Sequence, residues 1–262
     1  MNLTPAMSAL YGAAAAGLGI VLWWARRARS GKDPLGPRPP GDLPATGWAV
    51  LIALPAWVLL PSLAVSAAAA AGLSDAAAAT VGASAHAAIG VVLLAFVRRG
   101  APQPTLSAGR LAATGLLAGI ATFGAVALVG EGIQQVYAWA GAAVPQQGVV
   151  QVARAAGGAD WTWIVVGTVG LAPFGEEVFF RGALLPALAR SMPVGKAILF
   201  QGAIFGLVHV VAAPPAMWPL AIPLALVGAI LGWLYVRTGS LPAAIVVHAF
   251  FNAMNLAVLR LS

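Results

Sequence analysis

The sequence predicts an all-α, polytopic integral membrane protein, built as a bundle of about eight transmembrane helices. Three observations support this prediction. Of the 262 residues, 61% are hydrophobic and only 8% are charged, which is about a third of the charged fraction usual in soluble domains. Most apolar stretches have the length of about 20 residues that a helix needs to cross a bilayer. The cations cluster between these stretches, and the mean hydropathy of the chain is +0.91.

Charge and cysteine content exclude several functions. The net charge of +7 is explained by topology, because loops on the cytoplasmic side of a membrane protein are enriched in Lys and Arg. The lipid bilayer is therefore the expected partner, and nucleic acid is not. The chain has no cysteine, which excludes a disulfide framework, a cysteine protease and a thiolate metal site.

Eight apolar segments are predicted to span the membrane. They cover about residues 6–24, 48–65, 76–97, 111–129, 161–189, 197–211, 217–235 and 241–259. Ser74 and Asp75 indicate the start of the third. Residues 30–44 (SGKDPLGPRPPGDLP) are predicted to be an irregular linker. Residues 130–160 are predicted to be the longest polar connection, with a surface helix at IQQVYAWAG.

Eight spans place most cations on one side of the membrane. The basic clusters at 26–38, 98–110 and 190–196, together with Arg237, all fall on that side. The positive-inside rule makes it the cytoplasm, with both termini outside. The first segment has its cations after the apolar run rather than before it, so it is predicted to be a retained helix and not a signal peptide. The Ala-rich, Arg-over-Lys composition indicates a bacterial plasma membrane.

The stretch 171–182, LAPFGEEVFFRG, contains two of the seven acidic residues of the chain, side by side in apolar surroundings. A carboxylate at membrane depth costs several kcal/mol and usually marks a functional site. Glu177 and Arg181 are spaced i, i+4, which favours an ion pair. Glu176 lies about 100° around the helix from Glu177. One acid is therefore expected to face a pocket while the arginine holds the other.

Two of the three histidines have companions at helical spacing on later segments. Phe205 and His209 are spaced i, i+4, and His248 shares a helix face with Asn252 and Asn255. The third histidine, His86, has no such companion and is interpreted as structural. Small residues at 202 and 206, just ahead of His209, predict a closely packed neighbouring helix.

Glu176, His209 and His248 are expected at a similar depth on three helices, which predicts an active-site cavity between the later helices. A buried carboxylate beside neutral imidazoles suits general-base activation of water. A second imidazole and a carboxamide can donate to a developing oxyanion. The set therefore suggests amide hydrolysis inside the membrane. The same three side chains could instead bind zinc.

EEVFFRG, FGLVH and HAFFN, in that order on three late helices, resemble the three motifs of the CPBP family. This family comprises intramembrane proteases and their relatives, including CAAX prenyl endopeptidases, bacteriocin-processing enzymes and Abi-like proteins. Each motif alone is short, but the three together in order are specific. The resemblance covers about residues 161–259. Residues 106–262 are therefore predicted to be the protease core, and residues 1–105 an N-terminal addition.

The resemblance implies a role for each motif residue. Glu176 corresponds to the water-activating base, and His209 works with it. His248 and Asn252 correspond to the pair that stabilises the oxyanion. Glu177 and Arg181 correspond to the supporting acid and the structural arginine.

The family has been described both as metal-dependent and as a metal-independent glutamate type. We favour no metal, because there is no HExxH motif and only two motif histidines are present. If a metal is required, zinc on Glu176, His209 and His248 is the alternative. The implied substrate is a peptide or protein with a hydrophobic or lipidated segment, although a prenylated one is not expected in a bacterium.

Two other function classes fit parts of the sequence. A proton-coupled transporter would use buried Glu and His as a relay, but it should show an internal repeat or paired broken helices, and neither is found. An inactive scaffold or immunity protein on the same fold would be expected to have lost a motif residue, and none is lost. An intramembrane endopeptidase is the preferred prediction.

Overall fold

The computed structural model describes residues 47–97, 108–211 and 213–261. It also describes six positions of the N-terminal segment, all helical: Gly12, Ala15, Ala16, Gly19, Trp23 and Arg26. Apart from these positions, the predicted first span lies outside the described residues, as does the linker at 30–44.

The described part of the chain is helical and contains no strand. Its helices are α1 (Gly47–Ala70), α2 (Asp75–Val97), α3 (Ala108–Trp139), α4 (Gly148–Ala155), α5 (Gly158–Ala189), α6 (Val194–Val208), α7 (Ala221–Thr238) and α8 (Leu241–Leu261). A 3-10 helix, Pro215–Leu220, leads into α7. Among the described residues, six helices are long and apolar enough to cross a membrane, namely α1, α2, α3, α5, α7 with its 3-10 lead, and α8. This confirms the predicted helical membrane bundle.

Two predicted boundaries were wrong. The surface helix predicted at 133–141 is the last part of α3, because no proline interrupts the helix before Gly141. Gly141 has a φ of +65° and ends the helix in the left-handed conformation that glycine tolerates best. The connection therefore contains a different helix, α4. The predicted sixth span is the 15-residue α6, which ends at Val208 and is shorter than a full crossing.

The predicted start of the third span is confirmed at Ser74 and Asp75. The backbone N–H of Ala77 donates to the Ser74 hydroxyl oxygen over 3.3 Å, which satisfies one of the free donors at a helix start. The same hydroxyl donates to the carboxylate of Asp160 over 2.6 Å. This bond joins the start of α2 to the start of α5.

Glycines allow the helices around the site to approach closely. A Cβ on Gly206 would lie 2.3 Å from the carbonyl oxygen of Ala221, and one on Gly202 would lie 2.8 Å from that of Ala225. The predicted close neighbour of α6 is therefore α7. On the other side of the bundle, a Cβ on Gly175 would lie 2.4 Å from the carbonyl carbon of His86, so α2 packs directly on α5.

The largest apolar core surrounds α5. Val178, Phe179 and Phe180 are fully buried and belong to one cluster with side chains from α1, α3, α6, α7 and α8. Because α5 is enclosed on all sides at this level, the polar residues of its motif are buried as well. The core therefore positions the carboxylates at the centre of the bundle.

Candidate active site

The helix that holds the two glutamates is not a regular α-helix. A π-helical stretch, Val166–Leu171, precedes the acids, and a second, Val178–Leu184, follows them. Each stretch ends two residues before a proline, Pro173 or Pro186. Proline has no N–H and clashes with the carbonyl four residues earlier, so a locally wider turn accommodates it. π-helical stretches are rare in proteins overall, but those that occur are often found at functional sites.

The first π stretch explains the position of Asn252. The N–H of Ala172 donates to Gly167 rather than to Thr168. In the same register the Thr168 carbonyl would accept a hydrogen bond from the N–H of residue 173, but that residue is Pro173, which has no N–H. The Thr168 carbonyl therefore lacks a backbone donor, and the Asn252 side-chain amide donates to it over 2.7 Å. This contact holds the predicted Asn252 of α8 against α5.

Glu177 is held by two partners through one oxygen. Arg181 Nη1 donates to Glu177 Oε1 over 2.7 Å, and both side chains are fully buried. His248 Nδ1 lies 2.8 Å from the same oxygen. Arg181 Nη2 donates to the carbonyl of Gly228 on α7 over 2.9 Å. The predicted Glu177–Arg181 pair is present, and it links α5 to both α7 and α8.

Glu176 faces the two motif histidines. Its Oε2 lies 3.9 Å from His209 Nε2 and 3.7 Å from His248 Nε2. These distances are too long for direct hydrogen bonds. The Glu176 and His248 side chains are 9% and 5% exposed, whereas His209 is 26% exposed. The structure thus brings the three predicted residues together around a small gap.

The other ring nitrogen of each histidine has an acceptor. His209 Nδ1 donates to the carbonyl of Phe205 over 2.6 Å, a carbonyl in the last turn of α6. His248 Nδ1 donates to the Glu177 carboxylate. In the neutral rings these bonds place the proton on Nδ1 and leave Nε2 as an acceptor. Three acceptor atoms therefore face one gap, and Glu176 Oε2 has no hydrogen-bond partner in the described part of the chain.

Three acceptors around a gap require a donor between them. A buried carboxylate oxygen without a donor is costly, whereas a water molecule offers two hydrogens. A proton on one imidazole would serve the same need. The gap is therefore suited to hold and polarise a water molecule.

The gap opens into a cavity of about 840 Å³. Its polar lining includes Glu176, His209, His248, Asn252 and Asn255, together with Thr168 and His86. Most of its other walls are apolar side chains from α1 to α8. Asn255 donates to the carbonyl of Phe251 over 2.8 Å, so it lies in the wall and does not join the cluster around Glu176.

The zinc alternative would use Glu176, His209 and His248. Among the residues that the structure describes, no group of three or more His, Cys, Asp or Glu side chains is arranged to hold a metal ion. The donor chemistry of these three side chains is suitable for zinc. Metal independence stays a prediction.

Sequence reasoning missed three contacts of this site. It paired Glu177 with Arg181 but not with His248, it assigned no role to the Thr168 carbonyl, and it left His86 out of the cavity. Pro173 was the available signal for the Thr168 carbonyl. Phe205 was predicted as a companion of His209, and its ring centroid lies 4.6 Å from the His209 ring and 5.8 Å from the His248 ring.

The fold and site define a multi-pass helical membrane protein with a buried Glu–His site at the centre of its bundle. Residues 158–254 match the family model described as type II CAAX prenyl endopeptidase Rce1-like. That segment contains all three motifs, and the match supports the resemblance to CAAX-type proteases of the CPBP family over these residues. No curated protein and no solved structure matches the chain.

Proposed function

We propose that this protein is an intramembrane endopeptidase that hydrolyses a peptide bond with water activated by Glu176 and His209. The observation that carries the proposal is the convergence of three acceptor atoms on one gap. Glu176 Oε2 lies within 4 Å of two imidazole Nε2 atoms whose Nδ1 atoms are already engaged. The gap opens into a cavity with mostly apolar walls, which suits a peptide segment that is hydrophobic or carries a lipid.

In the first step, water in the gap donates one proton to Glu176 and its oxygen attacks the substrate carbonyl carbon. The carbonyl π bond breaks, and its electron pair goes to the oxygen as an oxyanion. His209 Nε2 accepts the second water hydrogen and orients the nucleophile.

In the second step, the oxyanion reforms the carbonyl and the C–N bond breaks. The proton on Glu176 passes to the leaving amine, so the base acts as an acid. His248 stabilises the oxyanion in the form that carries a proton on Nε2 as well as on Nδ1. That Nε2 proton stays on the ring through both steps, and the Glu177 carboxylate on Nδ1 stabilises the cation. The Asn252 amide has two hydrogens, and one of them is donated to the Thr168 carbonyl. The second can be donated to the oxyanion.

The decisive test compares Glu176→Gln with the wild type in detergent, using fluorogenic CAAX-like and hydrophobic peptides. We expect cleavage to fall by about 10²- to 10⁴-fold, the usual contribution of a general base, while thermal unfolding stays near the wild-type temperature. Glu131→Gln is the matched control, because Glu131 lies near the end of α3 and contacts Gln135. Unchanged cleavage in Glu176→Gln would refute the proposal.

An inactive scaffold and a transporter predict different results from the same preparations. A scaffold would bind hydrophobic peptides without cleaving any. A transporter would move protons across liposomes in a manner that depends on Glu176. Either result, with no peptide cleaved, would replace the endopeptidase proposal.

We expect cleavage by the wild type to be insensitive to a strong zinc chelator. The measurement is the cleavage rate before and after prolonged incubation with the chelator, followed by added zinc. Loss of activity that zinc restores would make Glu176, His209 and His248 metal ligands. It would also contradict the metal-independent prediction.

A further inference from the structure

His86 lies on α2, outside the segment matched to the protease family, yet it lines the cavity that contains Glu176. Its backbone packs on the residue just before that glutamate. A Cβ on Gly175 would lie 2.4 Å from the carbonyl carbon of His86 and 2.5 Å from its oxygen. A helix from the N-terminal part of the chain thus adds a third histidine to the site.

The His86 ring is held in one orientation. It stacks on the indole of Trp57, with ring centroids 4.1 Å apart and an angle of 27° between the planes. Its Nε2 lies 3.1 Å from the Trp57 carbonyl oxygen. Trp57 is itself buried and stacks on Phe179 of the motif, with centroids 5.1 Å apart. The imidazole is therefore preorganised by α1 and α5.

The hydrogen bond to Trp57 determines what the rest of the ring can bind. A carbonyl oxygen only accepts, so Nε2 carries the proton and Nδ1 is an acceptor in the neutral ring. Nδ1 makes no hydrogen bond within the described part of the chain. His86 is half-buried and borders the cavity. A molecule in the cavity with an N–H group can therefore satisfy this acceptor.

We propose that His86 is a substrate-binding residue, and that its Nδ1 accepts a hydrogen bond from a backbone N–H of the peptide next to the bond that is cut. The inference rests on the proposed function, because it requires a peptide in this cavity. A peptide N–H inside an apolar cavity loses its bond to water and needs an acceptor. In the proposed mechanism Glu176 and His209 bind the nucleophile and His248 binds the oxyanion, so His86 supplies a separate acceptor.

Three variants test this role. His86→Phe keeps an aromatic ring on Trp57 but has no acceptor, and His86→Asn keeps an acceptor oxygen near the position of Nδ1. Ser84→Ala is the matched control, since Ser84 lies on the same helix and donates to the Thr80 carbonyl rather than lining the cavity. We expect KM to rise about 3- to 10-fold in His86→Phe, the effect of one neutral hydrogen bond, with kcat nearly unchanged. His86→Asn should recover most of this loss.

Ester-containing substrates separate binding from structural effects. Peptides in which a single amide next to the cleaved bond is replaced by an ester lack one N–H. For one such position, the wild type should lose affinity while His86→Phe shows no additional loss, because the two changes remove the same bond. Equal losses in both proteins at every position would overturn the assignment, as would an unchanged KM in His86→Phe.

The two proposals fail in different ways. Wild-type cleavage that depends on Glu176 but is indifferent to His86 would overturn only the substrate-binding role. Absence of any Glu176-dependent cleavage would overturn the proposed function and this inference with it.

Discussion

At the scale of single residues, Glu177 has the most constrained environment in the site. It is fully buried, and its Oε1 accepts hydrogen bonds from both Arg181 and His248. The other oxygen has no partner among the described residues. Removing one member of a buried pair leaves an uncompensated charge, which costs far more than the pair contributes. Arg181 therefore compensates the charge of the buried Glu177 carboxylate, and Glu177 in turn orients the His248 ring.

Arg181→Met should lower the free energy of unfolding by about 3–5 kcal/mol, the usual cost of an unpaired buried charge. Adding Glu177→Gln should recover part of that loss, because it removes the charge that was left alone. The measurement is thermal or denaturant unfolding in detergent, with both variants compared to the wild type. A double variant less stable than Arg181→Met would contradict this account of the pair.

At the scale of elements, α5 organises the site through its irregular turns. Each π-helical stretch ends just before a proline, and the first one frees the Thr168 carbonyl for Asn252. A regular α-helix over the same residues would satisfy that carbonyl internally. The site therefore depends on the missing N–H of Pro173 as well as on its polar side chains.

Pro173→Ala should separate stability from activity. The new N–H can donate to Thr168 and compete with Asn252, so cleavage should fall, by about 10-fold if Asn252 contributes one hydrogen bond in the transition state. Stability should stay equal or rise, since proline inside a helix is unfavourable. Pro186→Ala is the matched control, because it makes the same change at the second stretch, away from Asn252. Equal activity in both variants would contradict the role of the carbonyl.

At the scale of the whole molecule, the N-terminal helices contribute to the site. The division into an addition at 1–105 and a core at 106–262 stays a prediction. The described structure packs α2 on α5 at Gly175, and it places His86 in the wall of the cavity. The stack from His86 through Trp57 to Phe179 continues into the main core. The matched protease segment therefore does not enclose its own cavity.

Gly175→Ala should disturb stability and cleavage together. Its Cβ would meet the backbone of His86, which cannot rotate away as a side chain could, and forced overpacking typically costs about 1–3 kcal/mol. Gly170→Ala is the control on the same helix, because a Cβ there meets nothing within 4 Å. The measurements are the unfolding temperature and the cleavage rate. A fully stable and active Gly175→Ala would mean that α2 can move away without affecting the site.

Part of the site could be predicted because its cause is local. The spacing of Glu177 and Arg181 by four residues put them on one helix face, and Glu176 had to point elsewhere. The spacing of Phe205 and His209 predicted their contact in the same way. The end of α3 was misplaced because polar residues such as Glu131 and Gln134 indicated a connection after residue 129. The helix instead continues through them, since no proline interrupts it before Gly141.

By itself, the sequence determined that this is a helical membrane protein, which acids and histidines come together in its bundle, and which family motifs they resemble. These follow from composition and from spacing along single helices, both of which are local properties. Only the tertiary structure decided that Glu177 binds His248, that Asn252 meets the Thr168 carbonyl, and that His86 joins the cavity. Each of these contacts joins two helices, and its geometry depends on their relative depth and rotation. The depth and rotation of one helix relative to another are set by the small residues at their contacts and by the π-helical register. No pattern along a single helix encodes this relative placement.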